Sequence, residues 1–164
     1  MERRDYLLRE IEKIGAIINA IRKKIFGGKG NLSITLEKQI ENAKEMLLSE
    51  VNFHFDKLFD LDLDCSNEYI SSFEGFSVEN IELFAESIAQ IGFHDNCDNP
   101  EKYLEKALQL YELCNLKSKT YSFERENNIV ALKTACKEIK HNIDHQNRET
   151  KTTNPIDRQY TKES

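Results

Sequence analysis

Residues 5–26 read DYLLREIEKIGAIINAIRKKIF, the strongest periodic pattern of apolar residues in the chain. Six large aliphatic residues recur there at alternating steps of four and three: Leu7, Ile11, Ile14, Ile18, Ile21 and Ile25. This spacing puts them on one side of an α-helix, whose turn is about 3.6 residues. Gly15, Ala16 and Ala20 lie beside this seam and would let another helix approach closely. The stretch predicts a first helix that must bury one apolar face.

A glycine-rich turn separates this helix from a second one. Glycine accepts positive φ, so residues 27–30, Gly-Gly-Lys-Gly, should end the first helix. The Ser33 hydroxyl can cap the next helix, which should return antiparallel to the first and end near Glu50. Its apolar face keeps the four-three-four spacing at Leu36, Ile40, Ala43 and Leu47. Residues 51–76 are rich in aromatic side chains at irregular spacing, which predicts short helical turns over one end of a bundle.

Three capping signals mark three further helices. Ser77 can open the first of them, which Gly92 closes, and residues 99–101, Asn-Pro-Glu, can open the second. Ser122 can cap the last helix, which should fray near His145. The predicted apolar faces are Ile81, Phe84, Ala85, Ile88 and Ile91, then Leu104, Ala107, Leu108 and Tyr111, and last Ile129, Leu132, Cys136 and Ile139.

Length and patterning together predict one all-α domain. The 164 residues can bury a core without disulfides or a metal. We expect an antiparallel bundle of about five main helices over residues 1–145, with helical hairpins in its C-terminal half. Its parts are a basic amphipathic helix with the glycine turn (1–30), a helix with the aromatic-rich connector (33–76) and repeat-like helices (77–145). Residues 146–164 hold only Ile156 and Tyr160 as large apolar side chains, so a disordered tail is predicted.

Charge is distributed unevenly along the chain. Residues 1–30 carry eight Lys and Arg against four Asp and Glu, whereas the remainder carries fifteen against 25. A basic first helix that docks on an acidic body, or on a second copy of that body, would account for this asymmetry. The acidic body argues against nucleic acid as a partner.

The sequence also predicts a cytoplasmic protein. No apolar run approaches the roughly 20 residues needed to cross a bilayer, and the first ten residues lack the apolar block of a secretory signal. The four cysteines lie 32, 17 and 22 residues apart, without the close pairs of structural zinc sites. We expect reduced thiols, two or three of them small core residues.

One segment resembles a repeat family. Residues 103–112, YLEKALQLYE, look like the second helix of a tetratricopeptide repeat, in which an aromatic residue follows a small one by four positions. Ala107 and Tyr111 fit that pattern, and Cys114 stands where the repeat prefers alanine. The resemblance covers about residues 78–143 and implies stacked helical hairpins. The whole chain is also similar to small bacterial helical proteins of uncharacterised function, a likeness that implies no activity.

No local motif for nucleophilic catalysis is present, so neither an enzyme nor a bound cofactor is expected. Residues 27–30 follow a helix instead of a strand and lack the Lys-Ser/Thr ending of a phosphate loop. Three aspartates alternate like the start of a calcium loop: Asp60, Asp62 and Asp64. Cys65 and Ser71 occupy the positions of the required glycine and glutamate, so we expect an acidic connector with Leu61 and Leu63 turned inward.

The histidines offer a weak metal hypothesis. His141 and His145 stand one helical turn apart and could share a transition metal, but no third ligand is evident, so no metal site is assigned. His54 and His94 each lie beside a phenylalanine and are expected to be partly buried structural residues.

Two surfaces are candidates for partner binding. Exposed residues of the last two helices could line a groove for an extended or helical peptide: Tyr103, Tyr121, Glu124 and Arg125. The seam from Leu7 to Ile25 is a candidate homodimer interface. We therefore expect a non-enzymatic protein-interaction or assembly module. Two alternatives are less favoured: a peripheral membrane module that lays the first helix on lipid, and then a small metal-binding protein.

Overall fold

The chain folds into a bundle of helices. The structure is a computed structural model that describes residues 2–27 and 34–152, and these contain seven helices and no strand. The helices are α1 (Glu2–Phe26), α2 (Leu36–Val51), α3 (Phe55–Phe59), α4 (Leu63–Ser71), α5 (Val78–Gly92), α6 (Pro100–Lys117) and α7 (Phe123–Thr152). The predicted all-α class is confirmed, and the two shortest helices are the helical turns expected in the aromatic-rich connector.

Side-chain caps fix where most of these helices begin. The hydroxyl of Ser77 and the amide oxygen of Asn99 accept backbone N–H groups of α5 and α6, and Ser122 accepts one from α7 at 3.2 Å, as predicted. Helix α2 differs, because its cap is Thr35, whose Oγ1 accepts the Lys38 N–H at 3.2 Å. The predicted cap at Ser33 is therefore wrong, and Ser33 itself lies outside the described residues.

Contacts between the helices give their relative directions. Asn80, near the start of α5, touches the middle of α1 at Ile11, and Glu86 further along α5 pairs with Arg22, so α1 and α5 run parallel. Helix α6 runs antiparallel to α5, because Gly92 at the end of α5 packs on Leu104 near the start of α6. Helix α7 runs antiparallel to α6, because Arg125 in its first turn bonds to Asn115 near the end of α6, whereas Lys140 further along pairs with Glu105 near the start of α6.

The buried residues form one hydrophobic core that draws on all of the long helices. Most of the side chains of α5 are buried, so α5 is the central helix. The Phe53 ring, fully buried, joins the connector to this core through rings 5.1 to 5.7 Å away: Tyr69, Phe73, Phe76 and Phe84. A Cβ on Gly75 would overlap the Glu10 carbonyl oxygen, so glycine is needed there for α1 to approach.

The last helix is longer than predicted. Helix α7 continues to Thr152, so the expected fraying near His145 is wrong, and residues 146–152 of the predicted tail are helical. An i,i+4 pair of His145 with Glu149, 3.2 Å apart, lies on this extension. A helix already nucleated by packing on α6 adds further turns at little cost, which the local apolar pattern does not report. Residues 153–164 lie outside the described part of the chain.

Candidate functional site

The apolar seam of α1 divides into a covered part and an open part. Ile14, Ile18, Ile21 and Ile25 are all buried by the chain itself. Residues of α2 and α5, among them Ile40 and Ile88, line one small enclosed cavity together with Ile18 and Ile21. Most of the predicted dimer seam is therefore covered within one chain. For these residues the seam packs within the chain and not between two chains. Only Ile11, half-buried, and Leu7, 41% exposed, continue it outward.

The open part of the seam belongs to an overhang of α1. Each residue from 2 to 9 is exposed, whereas Glu10 already contacts Gly75, just before α5. Three large apolar side chains in this overhang face solvent: Tyr6, Leu7 and Leu8. Two turns of helix thus extend beyond the bundle with an apolar surface that no described residue covers.

A second exposed apolar group lies at the turn from α6 to α7. Leu116, Tyr121 and Phe123 are 67%, 73% and 71% exposed. This turn lies at the same end of the bundle as the α1 overhang, because the Cys114 thiol near the end of α6 faces the Val78 carbonyl at the start of α5. We call the two groups together the apolar end: Tyr6, Leu7, Leu8, Leu116, Tyr121 and Phe123. They are six of the twelve large apolar side chains that are exposed among the described residues.

Charges at the apolar end are close to balanced. Residues 2–9 contain three basic and two acidic side chains, and the α6–α7 turn contributes Lys117 and Lys119 against Glu124 and Glu126. An anionic membrane or a nucleic acid would be attracted by a large excess of positive charge, which this surface lacks. Apolar side chains among balanced charges are typical of surfaces that bind protein.

The predicted peptide groove does not form as one surface. Tyr103 is half-buried near the start of α6, where its ring packs edge-on against Phe59 at 5.3 Å. Tyr121 and Glu124 are exposed beyond the other end of α6, about 21 Å of helix away. The structure therefore brings Tyr121 and Glu124 together and leaves Tyr103 apart.

Arg125 is not the exposed binding residue that was predicted. It is only 4% exposed, and its guanidinium donates to Glu82 at 3.1 Å and to Asn115 at 3.2 Å. A buried guanidinium needs such partners, since an unpaired charge in the interior is strongly unfavourable. Arg125 thus ties α7 to α5 and α6.

The described residues that were considered as metal ligands either have a structural role or lack enough further ligands nearby. The Asp62 carboxylate caps α4 by accepting the Cys65 N–H at 2.8 Å, a bond that lowers the pKa of Asp62. Leu61 and Leu63 are half-buried, in line with the expected connector. His141 and His145 are exposed on α7, and within residues 2–27 and 34–152 no three potential ligands gather at one point. Residues 28–30 of the glycine turn lie outside the described residues.

The burial of the other histidines and of the cysteines agrees in part with the prediction. His94 is half-buried and its Nδ1 accepts the Asn96 N–H at 3.2 Å, but His54 is exposed, so its predicted burial is wrong. Two cysteines, Cys114 and Cys136, are buried core residues, and all four are free thiols.

A buried lysine had no signal in the sequence. Lys106 is 6% exposed, and its ammonium donates to the Leu61 carbonyl oxygen at 2.8 Å and to the Gln109 side chain. Burial lowers the pKa of Lys106, while nearby Asp60 and Asp62 oppose that shift. Both acceptors are neutral: the Leu61 carbonyl belongs to the connector that folds over α6, and Gln109 belongs to α6 itself. The Ser66 hydroxyl of α4 also donates to Gln109 at 3.1 Å, so the arrangement fastens α4 to α6.

Comparisons with known proteins add no family. A scan against models of protein families found no match, and neither did searches of curated proteins and of solved structures. The tetratricopeptide-like character of α5 to α7 stays a prediction. Among the described residues, no helix combines the length and the apolar content needed to cross a membrane.

Proposed function

We propose that this protein is a non-enzymatic protein-interaction module that binds another protein through its apolar end. The single observation behind the proposal is that half of the large apolar side chains exposed among the described residues lie at one end of the bundle. Scattered apolar residues on a surface need no explanation, but their concentration at one end of a molecule is typical of a binding surface. Full burial of each such side chain contributes about 1.5 to 3 kcal/mol, so covering even part of the group would drive association.

A membrane surface is the competing partner for the same side chains. Tyr6, Leu7 and Leu8 could enter the headgroup region of a bilayer while Arg3 and Arg4 met anionic lipid. The nearly balanced charge of the apolar end favours protein instead, because an interfacial helix gains much of its affinity from a large excess of Lys and Arg.

Site-specific photocrosslinking in the producing cell tests the proposal. A photoreactive residue at Leu7 or Phe123 should form protein crosslinks, and one at the exposed Thr134 of α7 should form far fewer. A Tyr121→Asp change should reduce the crosslinks from Phe123 severalfold, because it sets a charge within the binding surface. Equal crosslinking from all three positions would contradict the proposal. Flotation of the purified protein with vesicles of anionic lipid would instead indicate a membrane partner.

A further inference from the structure

We propose that the partner at the apolar end is a second copy of this chain, joined by antiparallel pairing of the two α1 overhangs. This inference rests on the proposed function and names its partner. Leu7 and Ile11 continue the seam whose later members are buried by the chain itself, so they stand ready to meet a helix beyond the bundle. Within the overhang Leu7 is the apolar residue of the seam, and Arg4 holds the seam position before it. In an antiparallel pair, Leu7 of each copy would therefore pack against the alkyl part of Arg4 of the other copy, whose charged head reaches solvent.

Charge on one flank of the seam selects the antiparallel arrangement. Arg3 and Glu10 are seven residues apart, so they flank the seam on the same side of α1. A two-fold axis across an antiparallel helix pair brings the same flank of both copies together. Arg3 of one copy then faces Glu10 of the other, and the symmetry repeats the pair. In a parallel pair Arg3 would face the opposite flank, where Leu8 lies, and this complementarity would be lost.

The shape of the molecule agrees with this arrangement. The exposed overhang of eight residues is about 12 Å long, roughly the length over which two antiparallel copies would overlap. Glu10 already contacts Gly75 of its own chain, so the bundle of each copy begins next to the first turn of α1 of the other copy. Antiparallel pairing thus keeps the two bundles at opposite ends of the helix pair and turns their apolar ends toward each other. Leu116, Tyr121 and Phe123 of each copy would border the pair.

A charge-swap experiment on the full chain tests the pairing. Sedimentation equilibrium should give a dimer for the parent protein, and Arg3→Glu or Glu10→Arg should each weaken the dimer about tenfold by setting like charges opposite each other. The double variant Arg3→Glu/Glu10→Arg should return to within about threefold of the parent. On a single helix these two residues are about 10.5 Å apart along the axis, which is too far for a direct ion pair within one copy, so the rescue indicates a pair between copies. Lys133→Glu, on the exposed side of α7, is the matched control and should not change the dimer.

The outcomes separate this inference from the proposed function. A parent protein that stays monomeric overturns the second-copy inference, and crosslinks from Leu7 and Phe123 to a different protein would then still support the interaction module. A dimer whose double variant is as weak as the single variants overturns the antiparallel register. A monomer without such crosslinks overturns both. Circular dichroism of every variant checks that the helices remain folded.

Discussion

The Cys114 thiol lies in a fully closed part of the core between α5 and α6. Its S–H group faces the Val78 carbonyl oxygen at 3.7 Å, and the side chain is fully buried. Burial disfavours the thiolate and raises the pKa of Cys114 to about 12, with a smaller opposing effect from Arg125. An unfolded chain would release the same proton near its ordinary pKa of about 8.5. The thiol therefore links folding to alkaline pH.

This linkage predicts a loss of stability at high pH. The native state keeps the Cys114 proton where the unfolded state releases it, so the stabilisation is complete below about pH 8.5 and declines as the pH rises toward 12. By pH 11 the decline should be on the order of 3 kcal/mol. Urea titrations between pH 8 and 11 measure it. Cys114→Ser keeps the size of the side chain and should flatten the curve, whereas identical slopes for the two proteins would contradict the assignment.

Arg125 marks the limit of reading single residues from sequence. Its position in the first turn of α7 predicted a solvated side chain. In the structure its buried guanidinium instead donates a hydrogen bond to the carboxylate of Glu82, 43 residues earlier in the chain. Lys106 is a similar case, since its carbonyl partner at Leu61 lies 45 residues away. Local spacing reports which face of its own helix a side chain occupies, and it carries no record of which other segment closes over it.

At the scale of elements, the junction of α1 with α5 depends on one amide. The Asn80 side chain donates to the Ile11 and Gly75 carbonyl oxygens, both at 2.8 Å, and is itself buried. Two carbonyl acceptors require a donor group between them. The junction also sets how far α1 projects, because Glu10 contacts Gly75 at the same point.

Replacing this donor should separate the two helices. Asn80→Asp sets a carboxylate against two carbonyl oxygens inside the protein, so we expect a loss on the order of 3 kcal/mol in the free energy of unfolding. Urea denaturation measures the loss at pH 7. Asn127→Asp, the same change on the exposed side of α7, is the control and should cost less than about 0.5 kcal/mol. Equal midpoints for the two variants would show that the amide bonds do not hold the junction.

The sequence predicted elements better than contacts between elements. Buried faces such as Ile40 to Leu47 and Ile81 to Ile91 were confirmed, because helical periodicity is a local property. Two boundaries were missed: the cap of α2 at Thr35 and the extension of α7 to Thr152. The cover of the α1 seam could not be predicted, since a regular apolar stripe fits a helix of the same chain or of another equally well. The apolar end likewise depends on how α1 and the α6–α7 turn meet in space.

At the scale of the whole molecule, folding and association use different parts of the same helix. Ile14 to Ile25 hold α1 in the core, and the first two turns contribute nothing described to that core. The overhang continues a helix that packing has already nucleated, so it is helical without a partner, and a partner that covers it would bury its apolar side chains. Changes at Leu7 should therefore affect association while leaving the bundle intact.

A second copy bound at the apolar end makes the melting temperature depend on protein concentration. Association that is specific to folded chains stabilises them by mass action, so a hundredfold increase in concentration above the dissociation constant of the dimer should raise the Tm by about 3 to 5 °C. Leu7→Asp puts a charge in the open part of the seam and should give a Tm that does not change with concentration and equals that of the parent diluted below this dissociation constant. Calorimetry of both proteins over the same range measures this. A parent Tm that is constant with concentration would contradict a dimer, whereas a Leu7→Asp protein that melts well below the dilute parent would mean that the overhang supports the fold itself.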